Sequence, residues 1–169
     1  WRAGFGTRAI AYIEQHWGRL LERQGATWAE KAGRLETLPG ADALLAAYAL
    51  GVVPLAAAWG VLEVRPQVDG LNRASGVLRA GAADLHIEWS LNPAGYFSLQ
   101  VERDADGEMH LAIPRLDKRF PTITLNGETV WRNEKVYPNF HVREVISEDE
   151  HVILVVQKAG RYHAELSAV

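Results

Sequence analysis

The sequence predicts an α+β fold, in which two N-terminal helices are followed by an all-β antiparallel sandwich of jelly-roll type. The first observation is that apolar residues before about residue 60 recur at intervals of three and four, as they do in amphipathic helices. The second is that Val, Ile, Thr and aromatic residues beyond this point alternate with polar residues, with turn signals about every 8–12 residues. We therefore expect a helical segment at 1–58 and a β-domain at 60–169.

Two helices are predicted in the helical segment. Thr7 can cap the first helix, because its hydroxyl can accept a backbone N–H of the first turn, and Gly25 ends it. The second helix is predicted from Pro39 to Gly51. The apolar stripe of the first helix consists of Ile10, Ile13, Trp17, Leu20 and Leu21. Such a stripe needs a partner, so we expect contact with a further segment of the protein or association into a homo-oligomer.

Alternation identifies the strands of the β-domain. It is clearest at 84–91, where Leu85, Ile87 and Trp89 form the apolar phase, and Trp89 is expected in the core. Turns are predicted at 92–95, at 104–107 and at Asn126-Gly127, which is the strongest short hairpin signal. Further strands are predicted at 61–65, 97–102, 109–113, 123–125, around Val130, around Ile153 and Val155, and at 162–166.

Composition excludes several classes of protein. The chain is 48% hydrophobic and 23% charged, as in ordinary globular proteins, so disorder is not expected. A net charge of −3 and the lack of any Lys/Arg run argue against a nucleic-acid partner. With no cysteine, the chain can form no disulfide and no thiolate metal site, and this composition favours the reducing cytoplasm.

Neither a membrane segment nor a signal peptide is predicted. The most apolar stretch, at 41–64, is broken by Gly51, Pro54 and Gly60, whereas a spanning helix needs about 20 apolar residues. The first residue is Trp1 rather than Met, so we expect the chain to be a piece of a longer protein.

No cofactor or metal is predicted either. The six histidines lack H-x-x-x-H and H-x-H spacing and are expected on polar faces of strands. Residues 4–9 fit G-x-G-x-x-A, but no strand precedes them, so a helix start is favoured over a nucleotide site. Residues 104–107 resemble part of a calcium loop but lack its distal Glu, so a hairpin turn is favoured. No G-x-S-x-G motif for a nucleophile is present.

Glu30 is the candidate for acid–base chemistry. It follows Trp28 closely, and desolvation by an aromatic neighbour can raise the proton affinity of a carboxylate. The alternative is a solvated loop carboxylate paired with Lys31 or Arg34. On the residues alone, this alternative is favoured.

A series of short motifs resembles a known family over nearly the whole chain. The stretch at 16–21, followed by Gly25-Ala26-Thr27-Trp28-Ala29-Glu30, is similar to the YW..ML..GATT.WE pattern of the family 78 glycoside hydrolases, the α-L-rhamnosidases. Later motifs of that family resemble residues 50–54, 62–66 and 71–76, then 83–89 with 97–101, and finally 160–164.

This resemblance implies a fold and a reaction. In the family an (α/α)6 catalytic barrel precedes a β-sandwich, so residues 1–58 would form the last barrel helices. The reaction is hydrolysis of terminal α-L-rhamnosides with inversion, which uses two carboxyl groups roughly 6.5–9.5 Å apart. The resemblance makes Glu30 the general base and Trp28, Arg34 and Glu36 the substrate-binding candidates. The general acid would lie in the N-terminal part of the same protein, outside this chain.

The chain departs from the family at the sugar pocket. The His and Trp of the family's S.CHAWSA.P segment correspond to Leu38 and Gly40, and Thr27 stands where the family has two threonines. These changes fit a divergent substrate or a lost activity, so a non-catalytic carbohydrate-binding or structural β-sandwich module is the alternative function. In both cases this chain alone is expected to be inactive, because two helices cannot close the barrel and one carboxylate cannot perform inversion.

Overall fold

A computed structural model describes residues 48–116 and 121–168 of the chain. Within these ranges the protein forms twelve β-strands and one short 3-10 helix at Ala57–Trp59. The strands are β1 (Val52–Pro54), β2 (Val61–Val64), β3 (Arg73–Ala80), β4 (Ala83–Leu91), β5 (Phe97–Arg103), β6 (Glu108–Pro114), β7 (Pro121–Leu125), β8 (Glu128–Arg132), β9 (Lys135–Val136), β10 (Glu144–Ser147), β11 (His151–Val156) and β12 (Gly160–Ala168). No helix in this part of the chain is long and apolar enough to cross a membrane.

The strands form two sheets. The five-stranded sheet has the order β1-β2-β6-β11-β10, and the seven-stranded sheet has the order β3-β4-β5-β12-β7-β8-β9. Among the described strands, every neighbouring pair is antiparallel except β2 and β6. That pair is parallel because the chain leaves the five-stranded sheet after β2, builds β3 to β5 in the other sheet and returns at β6, and parallel neighbours need such a long connection. The predicted antiparallel β-sandwich is confirmed.

The two sheets enclose one common core. Trp89 of β4 is 1% exposed, in the core as predicted, and its ring lies 6.4 Å from that of Phe97. The indole N–H of Trp89 donates to the carbonyl oxygen of Ala49 at 2.8 Å. A buried tryptophan generally needs such a partner. This bond ties the residues before β1 to β4, the second strand of the seven-stranded sheet.

Strand β11 is buried on both faces. Ile153 and Val155 form a small cluster with Ala112 on the outer face of the five-stranded sheet. The residues of β11 that face the common core are Val152, Leu154 and Val156. The sequence predicted a single apolar phase at Ile153 and Val155, whereas the structure places the opposite phase in the core. Period-two alternation cannot separate the two phases of a strand that is covered on both sides.

Residues with positive φ close the turns. Asn126 and Gly127 have φ values of 51° and 84°, the left-handed pair that a type I′ hairpin turn requires, so the predicted hairpin between β7 and β8 is confirmed. Gly51, the predicted end of the second helix, has φ of 76°. A Cβ there would lie 2.1 Å from the carbonyl oxygen of Arg65, so the position suits only glycine. The two predicted helices otherwise lie outside the described residues.

Candidate functional site

The predicted catalytic region lies outside the residues that the structure describes. It includes Glu30, Trp28, Arg34 and Glu36, and also the departures from the family at Thr27, Leu38 and Gly40. Their roles therefore stay predictions. The sites that can be built from side-chain geometry lie on the outer faces of the β-sandwich.

A shallow groove crosses the outer face of the seven-stranded sheet, and we call it the outer groove. It has a volume of about 450 Å³ and lies where β3, β4, β5 and β12 run side by side. Its lining includes His86, Glu88, Gln100, Glu102 and Arg161, with the exposed side chain of Val77 at one side. The outer groove is thus a polar surface on a rigid support.

Strand register places the polar groups of the outer groove in rows. Glu88 of β4 lies opposite Gln100 of β5, and His86 lies opposite Glu102. On the next strand, Arg161 of β12 lies opposite Glu102. Cβ atoms of directly opposed residues are about 4.5–5.5 Å apart, so a single small ligand can contact both members of a row.

Only some of the polar side chains that line the outer groove form hydrogen bonds with one another. Arg161 donates from Nε and Nη2 to Oε2 of Glu102, at 3.1 and 2.8 Å. This pair is largely exposed and contributes little to stability, but it holds the guanidinium beside β5. Within the described residues, the side chains of His86, Glu88 and Gln100 make no hydrogen bond, so their donors and acceptors are free for a ligand.

Tyr96 lies at the other end of the same sheet face. Its hydroxyl donates to Oε1 of Glu165 on β12, and Oε2 of Glu165 accepts from Oγ1 of Thr124 at 3.4 Å. Burial, followed by the hydrogen bond with Glu165, raises the pKa of Tyr96 to about 12, so the phenol stays protonated at neutral pH. The residue is 37% exposed. Tyr96 therefore presents a fixed aromatic surface beside the polar rows.

Ser98, His163 and Glu165 lie close together on this face but do not form a nucleophilic triad. Oγ of Ser98 is 3.0 Å from Nε2 of His163, and Oε1 of Glu165 is 3.6 Å from the same nitrogen. A triad needs the hydroxyl on one ring nitrogen and the carboxylate on the other, because the imidazole must take a proton while it is held in place. Since both contacts use Nε2, these three residues form a polar network of the sheet surface.

A charged cluster centred on Arg65 lies on the outer face of the five-stranded sheet. The guanidinium donates to both carboxylate oxygens of Glu63, at 2.8 and 3.0 Å, and to Oε2 of Glu148 at 3.1 Å. Its Nη1 lies 3.1 Å from Nδ1 of His151. A guanidinium can only donate, so Nδ1 accepts and the proton of the neutral ring is on Nε2. Burial, followed by the charge of Arg65, lowers the pKa of His151.

Glu108 is the centre of a second charged cluster on this face. Its carboxylate accepts from Nη1 of Arg143 at 2.6 Å, from Gln157 at 3.3 Å and from Nε2 of His110 at 2.9 Å. The contact with His110 is the largest of the influences that lower the pKa of Glu108. The polar groups of these side chains are hydrogen-bonded to one another. Within the described part of the chain, no group of His, Cys, Asp and Glu side chains could hold a metal ion.

The turn predicted at 104–107 joins β5 to β6, and its acidic side chain has a structural role. Oδ1 of Asp106 accepts the backbone N–H of Ala159 at 2.7 Å, and Oδ2 accepts from Nζ of Lys158 at 3.0 Å. The bond from Ala159, followed by that from Lys158, lowers the pKa of Asp106. The carboxylate thus links the β5–β6 turn to the β11–β12 turn, which favours the hairpin interpretation over a calcium loop.

The sequence placed the groove residues correctly but did not identify the groove. His86, Glu88, Gln100 and Glu102 belong to the polar phases predicted for two strands, and these phases do face outward. The sequence did not predict that β5 and β12 pair, because these strands are far apart in the chain. Alternation alone carries no signal for it.

Comparison with known proteins agrees with a β-sandwich. No family model matches the sequence, and no curated protein matches it. Among solved structures, the chain is similar to an α-L-rhamnosidase from Dictyoglumus thermophilum, with a TM-score of 0.57 and 17% identity, over 75% of this chain and 13% of that one. It is also similar to a Streptomyces avermitilis α-L-rhamnosidase complexed with L-rhamnose, with a TM-score of 0.53 and 15% identity, over 73% of this chain and 10% of that one. At these identities the likeness shows a shared fold, and this chain spans a small part of each enzyme.

Proposed function

We propose that the chain is the C-terminal portion of an inverting glycoside hydrolase of the α-L-rhamnosidase type, with its β-sandwich attached to the catalytic barrel. The observation that carries this proposal is the likeness of the chain to two α-L-rhamnosidase structures, and the Glu30 motif supports it. The motif that includes Glu30 lies ahead of the described residues, whereas the likeness to two α-L-rhamnosidase structures comes from the fold. These two lines are largely independent, and both favour the same family.

In the proposed mechanism, Glu30 is the general base. It takes a proton from the water that attacks the anomeric carbon on the face opposite the leaving group, and this attack inverts the configuration. A carboxylic acid from a part of the protein outside this chain protonates the leaving oxygen. Trp28 packs against the sugar, and Arg34 and Glu36 bind its hydroxyl groups. The substrate is a terminal α-L-rhamnoside or a related sugar.

The test of this mechanism is Glu30→Gln in a protein that carries the whole barrel, assayed on p-nitrophenyl α-L-rhamnoside. Loss of a general base should lower kcat by about 10²–10⁴-fold and should remove the acidic limb of its pH profile. Glu128→Gln is the matched control, because Glu128 is an exposed carboxylate on β8 that accepts from Asn139. Near-full activity of Glu30→Gln, with the acidic limb retained, would exclude Glu30 as the base.

A second function, a non-catalytic carbohydrate-binding module, is favoured by the free polar groups of the outer groove. The departures at Leu38 and Gly40 point in the same direction. Calorimetry of the 169-residue chain with L-rhamnosides, beside the activity assay of the longer protein, separates the two functions. Binding without any turnover in the longer protein would favour the module. If the chain binds no rhamnoside and the longer protein shows no turnover, a purely structural role is favoured.

A further inference from the structure

We infer that the outer groove and the ring of Tyr96 together bind a neutral oligosaccharide. The inference rests on the proposed function only for the class of ligand, because it assumes a protein that acts on carbohydrate. It assigns this ligand to a face of the β-sandwich that holds none of the proposed catalytic residues.

The free side chains of the outer groove have the chemistry that sugar hydroxyls need. A hydroxyl group both donates and accepts, so it is best bound between a donor and an acceptor. The Glu88 carboxylate accepts, the Gln100 amide does both, and the two lie opposite each other on β4 and β5. His86 adds a ring that can donate and accept, opposite Glu102. Two adjacent hydroxyls of one sugar ring can therefore be bound by this pair of strands.

The charges of the outer groove select a neutral ligand. Glu88 and Glu102 face a single permanent cation, Arg161, and Arg161 is already paired with Glu102. Asp84 follows on the same outward phase of β4, but Arg79 of β3 neutralises it with an ion pair at 3.4 Å, so the unpaired carboxylate of the outer groove is Glu88. An anionic polysaccharide or a phosphate would meet the unpaired Glu88 carboxylate, and the described lining of the outer groove offers no unpaired permanent cation to offset that repulsion. A neutral sugar meets no such penalty.

The length of the surface and its aromatic end favour more than one sugar ring. Arg161 and Glu165 lie four residues apart on one face of β12, which corresponds to about 13 Å at roughly 3.3 Å per residue. Tyr96 is fixed at the Glu165 end by its hydrogen bond and leaves part of its ring exposed. An aromatic ring offers an apolar surface with a polar edge, which suits the C–H face of a sugar. One sugar unit can then lie in the outer groove while the next packs on Tyr96.

The experiment is an NMR titration of the ¹⁵N-labelled 169-residue chain. The probes are rutinose, a neutral rhamnosyl-glucose disaccharide, then L-rhamnose and an oligogalacturonate of similar size. We expect rutinose to shift amide signals at 86–88, 100–102 and 161–165, L-rhamnose to bind more weakly, and the anionic probe to shift none of them. Shifts confined to the loop around Phe140, which is 97% exposed, would overturn the inference, as would no shift with rutinose.

Variants decide which side chains make the contact. Gln100→Ala and Tyr96→Ala should each weaken rutinose binding by about 3–10-fold, the range expected for one lost hydrogen bond or ring contact. Phe140→Ala removes an equally aromatic side chain that does not line the outer groove and should leave the Kd unchanged. Unchanged affinity in both Gln100→Ala and Tyr96→Ala, with native spectra, would refute the assignment. The readout is binding alone, so an inactive longer protein would leave it intact, and absent shifts would leave the Glu30→Gln test intact.

Discussion

Gly51 and Gly127 differ in what an added side chain would meet. Both have positive φ, at 76° and 84°. A Cβ at Gly51 would lie 2.1 Å from the carbonyl oxygen of Arg65 and 2.6 Å from the nitrogen of Pro66, whereas a Cβ at Gly127 would meet nothing within 4 Å. Replacement by alanine therefore imposes similar backbone strain at both positions but a clash only at Gly51.

The magnitudes follow from these contacts. A left-handed conformation costs a residue with a Cβ about 1–2 kcal/mol, so Gly127→Ala should lower the free energy of unfolding by about this amount. At Gly51 the clash is with main-chain atoms, which cannot rotate away, and the N–H of Arg65 also donates to the carbonyl oxygen of Gly51 at 2.8 Å. With overpacking and a weakened hydrogen bond added, we expect Gly51→Ala to cost about 3–6 kcal/mol. A loss of this size is a large part of the stability of an ordinary domain, which is about 5–15 kcal/mol.

Urea unfolding followed by tryptophan fluorescence measures both losses. Trp89 and Trp131 are each 1% exposed, so their emission reports the opening of the core. The slope of the unfolding free energy against urea should be the same for wild type and Gly127→Ala, because the surface exposed on unfolding does not change. Equal losses in the two variants, or a smaller loss in Gly51→Ala, would refute the steric argument.

Two further predictions concern His151 and Trp89. Folding lowers the pKa of the His151 ring from 6.5, so the stability linked to its neutral form is complete above pH 6.5 and is lost as the pH falls through the pKa of the folded state. An NMR titration should therefore show the ring titrating below pH 6.5. A midpoint at or above 6.5 would contradict the burial beside Arg65. Trp89→Phe should lower the free energy of unfolding by about 2–4 kcal/mol, because it leaves the Ala49 carbonyl without its donor and opens a cavity. A loss well below 1 kcal/mol in urea unfolding would show that this hydrogen bond does not hold the residues before β1 to the sheet.

Local sequence patterns predicted the elements of the β-domain better than their arrangement. Leu85, Ile87 and Trp89 were assigned to the core from alternation alone, and the Asn126-Gly127 turn from its dipeptide. Both signals depend on neighbours in the chain. The prediction of which residues of β11 face the common core was wrong, because both faces of this strand are apolar. Its residues alone therefore do not show which face meets the core. The parallel pairing of β2 with β6 was not predicted for a related reason. No local sequence pattern marks which distant strand becomes a neighbour.

Strand β12 shows why the outer groove was beyond prediction. It pairs with β5 on one side and β7 on the other, so it joins two sets of strands that are each built from consecutive elements. Until β12 is inserted, β5 is an edge strand and the groove has no wall on that side. Arg161 reaches Glu102 only through this pairing. The same strand supplies Glu165, which fixes Tyr96. Strand β12 therefore completes both the larger sheet and the proposed binding surface, and a chain that lacks β12 should lose the two together.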